Sequence, residues 1–220
     1  MLRWLPVLLL LAACGGQPAA EPRHTDEPTP SATAPPTQTA TPRPTRAPRP
    51  IAKPTVTPSD KPDPRWRFYS ADKRWHSSPW FAGQHRVMIG YGCNASPWYD
   101  HDPRCPGRQG FHHGIDVAMP CGTPLYSAVR GEVLDPSAPG SPGAAYGVNP
   151  FRIHAGSVDV LIGHTRQVFV RPGDPVHPGQ RIALSSDSGA PDGCHLHFEV
   201  RRHGGGLSEA MDPAPLLKLS

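Results

Sequence analysis

The 220-residue sequence has no apolar run long enough to cross a membrane and little net charge. Its N-terminal apolar run, Leu5–Leu11, falls well short of the roughly 20 residues that a transmembrane helix needs. The formal net charge is +4, and no basic stripe is interleaved with aromatic residues, so the sequence does not indicate nucleic-acid binding. No C-x-x-C pair occurs, which argues against a zinc site made of cysteines.

Helical periodicity is also missing, because glycine and proline interrupt every long window of the C-terminal two thirds. That part contains short apolar runs of strand length in which β-branched residues are frequent, so we predict a mostly β domain built on an antiparallel sheet. The predicted strands are Arg86–Ile89, Ile115–Ala118, Pro124–Val129, Glu132–Leu134, Phe151–His154, Val158–Ile162, Gln167–Val170, Arg181–Leu184 and His195–Arg201. Pro172-Gly173-Asp174 and Pro178-Gly179-Gln180 are predicted turns.

Residues 14–65 are dominated by proline and threonine and contain hardly any large apolar side chain. Such a segment cannot bury enough surface to offset the entropy of ordering it, so we predict a disordered Pro/Thr-rich linker. Residues 66–220 are of a size that suits a single domain with one core. Its first part, Trp66–Phe81, is rich in aromatic residues and is predicted to pack against the domain, with a substrate-contacting surface as the alternative.

Residues 1–13 have the layout of an export signal, with a positive charge at Arg3 and an apolar core at Leu5–Leu11. The end of this segment, Leu11-Ala12-Ala13-Cys14, resembles the lipobox of bacterial lipoproteins, in which the cysteine is lipidated after cleavage. We therefore expect an extracytoplasmic protein anchored to the cell membrane by a lipid at Cys14. A plain secretory signal with an incidental cysteine, and hence a secreted protein, is the alternative.

Four cysteines remain after Cys14, an even number in a protein expected in an oxidising compartment. Four cysteines allow three pairings, and sequence alone does not choose among them. Our hypothesis is Cys93–Cys105, which closes a short loop rich in glycine, proline and aspartate, together with Cys121–Cys194, which joins two segments that a metal site would bring together.

The segment from His195 to Val200 alternates polar and apolar residues. On a strand, His195, His197 and Glu199 share one face, where two imidazoles about 7 Å apart can both address a metal and its water. An H-x-H pattern alone is a weak signal, because it also occurs in jelly-roll metal proteins.

His112 and Asp116 form a second candidate cluster. In a straight strand they would lie about 13 Å apart, so the chain must curve between them, and Gly114 is the residue that permits it. Two neutral imidazoles and one carboxylate leave a fourth position open for water, as catalytic zinc sites require. His164 follows an apolar strand and by itself is read as a hydrogen-bonded core or rim histidine.

Several ordered motifs together resemble those of the lysostaphin-like (LytM-type) zinc endopeptidases. The resemblance spans roughly Met88 to Val200. The matching segments are His112-x-x-x-Asp116 followed by Val117-Ala118-Met119-Pro120-Cys121-Gly122-Thr123-Pro124, then Gly163-His164, then Val170 to Gln180 with the pattern V-x-x-G-x-x-V-x-x-G-Q, and finally Gly193 to Arg201.

The resemblance implies zinc ligands at His112, Asp116 and His197 and two catalytic non-ligand histidines at His164 and His195. It also implies a small antiparallel β-sheet domain with an open active-site groove. The expected function is zinc-dependent hydrolysis of peptide bonds in peptidoglycan, in the stem peptide or cross-bridge. The partners expected are a peptidoglycan peptide and, through the anchor, a membrane, with a monomer as the assembly state and no nucleic acid.

This chain departs from the family pattern at Cys121 and Cys194, where small residues or proline are more usual, and at Gly163, which replaces an aromatic-plus-small pair. The alternative function is a non-cleaving wall-binding or regulatory module with a retained metal site. A jelly-roll metal protein leaves the His112 segment unexplained, and a zinc deaminase lacks its P-C-x-x-C motif. His113, His154 and His177 are read as bystanders, and Glu199 as a residue behind the metal or in solvent.

Overall fold

The computed structural model describes residues 61–220, so the predicted signal peptide, Cys14 and most of the predicted linker lie outside the described residues. The strands are β1 His76–Ser78, β2 Phe81–Ile89, β3 Gly92–Asn94, β4 Gly110–His112, β5 Gly114–Ala118, β6 Pro124–Tyr126, β7 Gly131–Val133, β8 Phe151–Ala155, β9 Val158–Gly163, β10 Thr165–Val168, β11 Pro175–Val176, β12 Arg181–Ser185, β13 His195–Arg202 and β14 Ala210–Met211. One four-residue α-helix, α1 Ala214–Leu217, follows β14.

The strands form one continuous antiparallel network in the order β10-β12-β6-β2-β5-β13-β9-β8-β7-β11, with β1 paired to β2 and β14 paired to β13. Strands β3 and β4 form a separate hairpin. The prediction of a mostly antiparallel β fold is confirmed, and each predicted strand has a counterpart. The strands that the sequence did not indicate have only two or three residues, too few for an alternating pattern to be recognised.

Strand β13 lies at the centre of the sheet, between β5 and β9. His197 is the register partner of Asp116 on one side and of Gly163 on the other. This pairing brings three segments that are distant in sequence to adjacent positions on three strands. It therefore positions Asp116, His195 and His197 directly, whereas His112 lies on β4, outside this sheet.

The opposite face of β13 builds the main core. Leu196, Phe198 and Val200 are buried there, and the ring of Trp80 packs edge-on against Phe198 with 4.8 Å between centroids. Burying side chains of this size contributes roughly 2–3 kcal/mol each relative to exposing them. The polar face of β13 is thus held in place by apolar packing on the other face of the same strand.

Both predicted disulfides are confirmed. Cys93 and Cys105 are bonded across the segment that connects β3 to β4, with 5.4 Å between their Cα atoms. Cys121 and Cys194 are bonded with a Cα separation of 5.3 Å, which joins the chain just after β5 to the residue that precedes β13.

The aromatic segment at the start of the domain packs only in part. Trp80 and Phe81 are core residues, whereas Trp75 is 63% exposed. The predicted linker reached residue 65, yet Asp63 and Arg65 already contact the domain, through a hydrogen bond from the Cys194 amide and an ion pair with Asp187. Among residues 61–220, no helix has the length and apolar character to cross a membrane.

Candidate active site

Three side chains converge where β4, β5 and β13 meet. The Nε2 atom of His112 lies 3.2 Å from Nδ1 of His197, which lies 2.9 Å from Oδ1 of Asp116, and the third side of this triangle, from His112 Nε2 to Asp116 Oδ1, is 3.4 Å. All three side chains are buried. The structure therefore brings together the residues that the sequence analysis named as metal ligands.

The second nitrogen of each imidazole is already engaged. Nδ1 of His112 lies 3.0 Å from the carbonyl oxygen of Gly90, and Nε2 of His197 lies 3.1 Å from a carboxylate oxygen of Glu199. Because these oxygens can only accept, the two nitrogens must donate, which leaves lone pairs on the nitrogens that face each other. Two imidazole lone pairs and a carboxylate oxygen then converge on one point, and such an arrangement needs a positive charge between them.

The pKa values of the cluster show the same need for a cation. Burial by itself would raise the pKa of Asp116, but the surrounding imidazoles outweigh it and hold that pKa well below its usual value. Burial would likewise lower the pKa of His197, yet the hydrogen bonds and charges of Asp116 and Glu199 raise it to about 9. Among the described residues, no arginine or lysine is paired with Asp116, so a proton or a metal ion must supply the charge.

The size of the cluster fits a tetrahedral metal ion. Nitrogen and oxygen ligands about 2.0–2.2 Å from zinc, at tetrahedral angles, lie roughly 3.3 Å from one another. The three measured separations of 2.9–3.4 Å agree with this value. Two imidazoles and one carboxylate also leave a fourth position for water or substrate.

The role predicted for Gly114 requires a correction. The chain does bend between His112 and Asp116, but the bend is at His113, and Gly114 is not among the glycines with positive φ. A Cβ atom on Gly114 would instead lie 2.7 Å from the His197 ring and 2.8 Å from the Phe198 carbonyl oxygen. Glycine is required here because the His197 ring occupies the space that a side chain would need.

His164 and His195 lie beside this cluster, with their ring centroids 4.4 Å apart. Each ring is held by a backbone carbonyl that accepts from Nδ1, Ser188 at 2.7 Å for His164 and Gly193 at 2.9 Å for His195. Both Nε2 atoms are consequently left with a lone pair, and that of His195 lies 3.6 Å from Oδ1 of Asp116. Burial, aided by the neighbouring histidines, lowers the pKa of His164 to about 3, so this ring is neutral at neutral pH.

His164 also has an unusual backbone. It lies between the end of β9 and the start of β10 with a φ of 51°, a conformation that few residues other than glycine adopt. Its backbone carbonyl accepts hydrogen bonds from the amide and the hydroxyl of Ser186, which stabilise this conformation. Strained residues of this kind cluster at functional sites, because the surrounding structure must maintain them.

Glu199 lies behind His197 and is fully buried. Its carboxylate accepts from the Tyr146 hydroxyl at 2.8 Å and from the Arg201 guanidinium, which also donates to the Tyr146 oxygen at 3.0 Å. Of the two roles considered for Glu199, the structure shows contact with a candidate ligand rather than with solvent. Sequence reasoning missed Tyr146 and Arg201, although Arg201 has the same strand parity as Glu199 and could have been found.

The site opens into a groove of about 690 Å³. Its lining includes Trp98 and Tyr99 from the disulfide-closed segment between β3 and β4, together with Tyr146 and Asp192. The Tyr99 hydroxyl lies 3.4 Å from Oδ2 of Asp116, a contact that the sequence did not indicate. The predicted open groove is therefore present at the cluster.

The histidines read as bystanders lie outside the triangle. His113 lines the groove and contacts the guanidinium of Arg104, and His177 is exposed. His154 belongs to a different cluster, with Asp159 and His203, that the sequence analysis did not recognise.

Comparison with known proteins finds a described family that matches the region containing the site. Residues 110–213 match the sequence model described as "Peptidase family M23", and this range contains all five candidate site residues. The chain is 36% identical over 90 residues to peptidoglycan DD-endopeptidase ShyA of Vibrio cholerae, a match that covers 40% of this chain and 20% of the relative. It is 37% identical over 91 residues to the lipoprotein NlpD/LppB homolog of Pseudomonas aeruginosa, covering 41% of this chain and 29% of that protein.

Among solved structures, LytU is 30% identical with a TM-score of 0.48, and the match covers 66% of this chain and 90% of that chain. The curated relatives are much longer than the matched region, since the chain spans less than a third of the length of ShyA and of the NlpD/LppB homolog.

Proposed function

We propose that this chain, which belongs to peptidase family M23 through residues 110–213, is a zinc-dependent endopeptidase that hydrolyses peptide bonds of peptidoglycan. One observation carries the proposal: three buried acceptor atoms converge in an open groove, next to two histidines whose Nε2 atoms keep a lone pair, and no arginine or lysine of residues 61–220 is paired with the carboxylate. The similarity to ShyA, a peptidoglycan DD-endopeptidase, supports the substrate class.

Zinc would be held by Nε2 of His112, Oδ1 of Asp116 and Nδ1 of His197. When bound, it supplies a Lewis acid that polarises a carbonyl and lowers the pKa of water toward about 7. The residues behind the ligands keep the donor atoms in the required tautomers: the Gly90 carbonyl does so for His112 and Glu199 for His197.

His164 and His195 handle the proton. Because their Nδ1–H groups are bound to backbone carbonyls, only the Nε2 atoms can accept a proton from the attacking water. His195 is placed for this role beside Asp116, and the same nitrogen can return the proton to the leaving amine. Once protonated, an Nε2–H group can donate to the oxygen on which negative charge develops.

The direct test is incubation of the purified full-length chain with peptidoglycan and zinc, followed by mass spectrometry for new amino termini. Wild-type protein should generate them and a chelator should prevent it. A protein that binds zinc and peptidoglycan but releases no amino terminus would instead be the non-cleaving wall-binding module.

The His195→Ala variant separates the histidine roles. It should keep its zinc, since His195 is not a ligand, and lose most of its turnover, about 100-fold or more, because a general base is removed. Metal content and hydrolysis rate are measured on the same preparation. Full activity in this variant would show that the roles are assigned wrongly.

We further propose that the chain is exported and anchored through a lipid on Cys14. The two disulfides suit an oxidising compartment, and one relative is itself named a lipoprotein. Metabolic labelling with a fatty acid should mark the wild type and not Cys14→Ala, and the variant should shift from the membrane to the soluble fraction. Unlabelled wild-type protein in the medium would favour plain secretion.

A further inference from the structure

Residues 63–66 form a short segment that we call the strap. They precede the first strand and lie outside the region that matches the family model. A hydrogen bond from the Trp66 amide to the Asp63 carbonyl, 3.1 Å long, closes them into a turn. Their side chains contact the two backbone segments that hold the non-ligand histidines.

The first contact is to Cys194, the residue immediately before His195. Oδ2 of Asp63 accepts from the Cys194 amide at 3.1 Å, and Nε1 of Trp66 donates to the Cys194 carbonyl at 2.6 Å. Both backbone polar groups of one residue are therefore held by the strap, while its side chain is tied to Cys121. The Trp66 ring packs against Met88, Ile89 and Ala118, which anchors its N–H group.

The second contact is to the loop that holds His164. Nη2 of Arg65 bonds both Oδ2 of Asp63 and Oδ2 of Asp187, each at 2.8 Å. Asp187 lies between Ser186, which donates to the His164 carbonyl, and Ser188, whose carbonyl accepts from the His164 ring. Arg65 thus links the two segments that orient the two histidines.

Gly193 shows how closely the strap is fitted. Its carbonyl accepts from the His195 ring, and a Cβ atom on it would lie 2.7–2.9 Å from the Asp63 carboxyl group. Its φ of +95° also favours glycine. The Asp63 carboxylate thus occupies the space beside the peptide that sets the His195 ring.

We propose that the strap is a positioning element for catalysis, with Asp63 and Trp66 fixing His195 through Cys194 and Arg65 fixing His164 through Asp187. The catalytic part of this inference rests on the proposed hydrolase function. Misplacing a catalytic group by about 1 Å can cost on the order of 100-fold in rate, so a device that holds two histidines through their neighbours affects kcat. It leaves substrate and metal binding unchanged, because the strap touches neither the groove nor the ligands.

The test compares Asp63→Ala with Asp72→Ala in the full-length chain. Asp72 is a matched control, because it forms the same two-residue fork with Arg74 but contacts no segment that holds a candidate catalytic histidine. On soluble peptidoglycan fragments, Asp63→Ala should lower kcat about tenfold with KM and zinc content unchanged, whereas Asp72→Ala should match the wild type. Equal kcat in the two variants would overturn the proposal.

Trp66→Phe provides a second variant in case Asp63→Ala does not fold. It removes only the indole N–H donor and keeps most of the packing, and kcat should fall severalfold without a change in KM. Arg65→Ala should have the smallest effect, because Arg65 and Asp187 are both 45% exposed and such pairs are weak. A uniform loss of zinc or a rise in KM would show a general structural defect and would contradict a positioning role.

A measurement independent of activity separates this inference from the proposed function. The ring resonances of His164 and His195 in NMR spectra of the zinc-loaded protein should shift in Asp63→Ala and Trp66→Phe and remain in place in Asp72→Ala. If the ring resonances shift in these two variants but the wild-type protein cleaves no peptidoglycan, the proposed hydrolase function is wrong and the positioning by the strap is supported. If the wild type is active and the ring resonances do not shift in these variants, only the proposal for the strap is wrong.

Discussion

Two clusters in this structure have the same composition. The groove cluster consists of His112, Asp116 and His197, and the hairpin cluster consists of His154, Asp159 and His203. Each places two imidazoles around one buried carboxylate, with all donor atoms within 4.8 Å. The hairpin cluster draws its residues from adjacent parts of the sheet, since β8 and β9 form a hairpin and β9 pairs with β13, whereas His112 of the groove cluster comes from β4, outside that sheet. Composition and spacing therefore do not distinguish them.

The surroundings of the hairpin cluster satisfy it without an ion. Nδ1 of His154 and Nδ1 of His203 lie 3.1 and 2.9 Å from Oδ1 of Asp159, so both can donate to it. Oδ2 accepts from the Gly204 amide at 2.9 Å, and the buried guanidinium of Arg152 lies 3.6 Å away. This carboxylate already has donors and a counter-charge.

The groove cluster differs, although the Tyr99 hydroxyl lies 3.4 Å from Oδ2 of its carboxylate. The outer nitrogens of its imidazoles are used by Gly90 and Glu199, so its inner nitrogens offer lone pairs, and no arginine or lysine is paired with Asp116 among the described residues. The comparison teaches that the partner of the second ring nitrogen, together with a nearby arginine or lysine, distinguishes a cluster suited to a metal from one that is satisfied without it.

The largest expected effect is a difference in zinc binding between matched variants of the two clusters. His197→Ala should abolish both zinc binding and hydrolysis, whereas the matched change His203→Ala should leave both unchanged, because only the first removes a lone pair that faces the ion. Zinc per chain, measured by mass spectrometry, should be one for the wild type and for His203→Ala and near zero for His197→Ala. Two zinc ions per wild-type chain would contradict the distinction.

A second large effect should appear in stability rather than in metal content. Asp159→Asn leaves the buried Arg152 without its counter-charge and should lower the free energy of unfolding by about 3 kcal/mol, as breaking a buried pair does. Urea unfolding of the variant measures this, and its zinc content should equal that of the wild type. Loss of zinc in a folded Asp159→Asn protein would mean that the hairpin cluster also binds the ion.

A smaller effect should follow from Glu199→Gln in the groove cluster. The amide weakens the hold on the His197 tautomer and removes a buried negative charge, so zinc affinity should fall about 10–100-fold. Competition with a chelating dye measures the affinity, and Tyr146→Phe, which removes one donor to Glu199, should show a milder loss. Unchanged affinity in Glu199→Gln would show that the contact behind His197 does not support the metal.

The smallest effect concerns pH. Burial by itself would raise the pKa of Asp159, but its hydrogen bonds, chiefly from His203 and the Gly204 amide, lower it. A folded pKa below the unfolded value of about 3.9 means that the stabilisation is fully present above that pH and is lost as the pH falls toward the folded pKa. The unfolding free energy of wild type should therefore drop more steeply below about pH 4 than that of Asp159→Asn, and parallel curves would contradict this.

Much of the candidate site was predictable because it depends on local patterns. Strand parity placed His195, His197 and Glu199 on one face, and the distance between His112 and Asp116 required a bend. The hairpin cluster was not predictable in the same way. His154 was read as a surface residue because its partner Asp159 faces it only once the register of β8 and β9 is known.

The sequence by itself determined the strand periods, and its resemblance to the lysostaphin-like zinc endopeptidases indicated the five histidine and aspartate positions of the groove. The strand periods follow from the residues within short segments, where alternation and turn chemistry act locally. Only the tertiary structure decided which nitrogen of each histidine keeps a lone pair. It also decided that the His197 ring fills the space beside Gly114 and that Asp63 and Trp66 bind the backbone of Cys194. These features depend on hydrogen-bond partners from distant segments, and chain folding alone brings such partners within bonding distance.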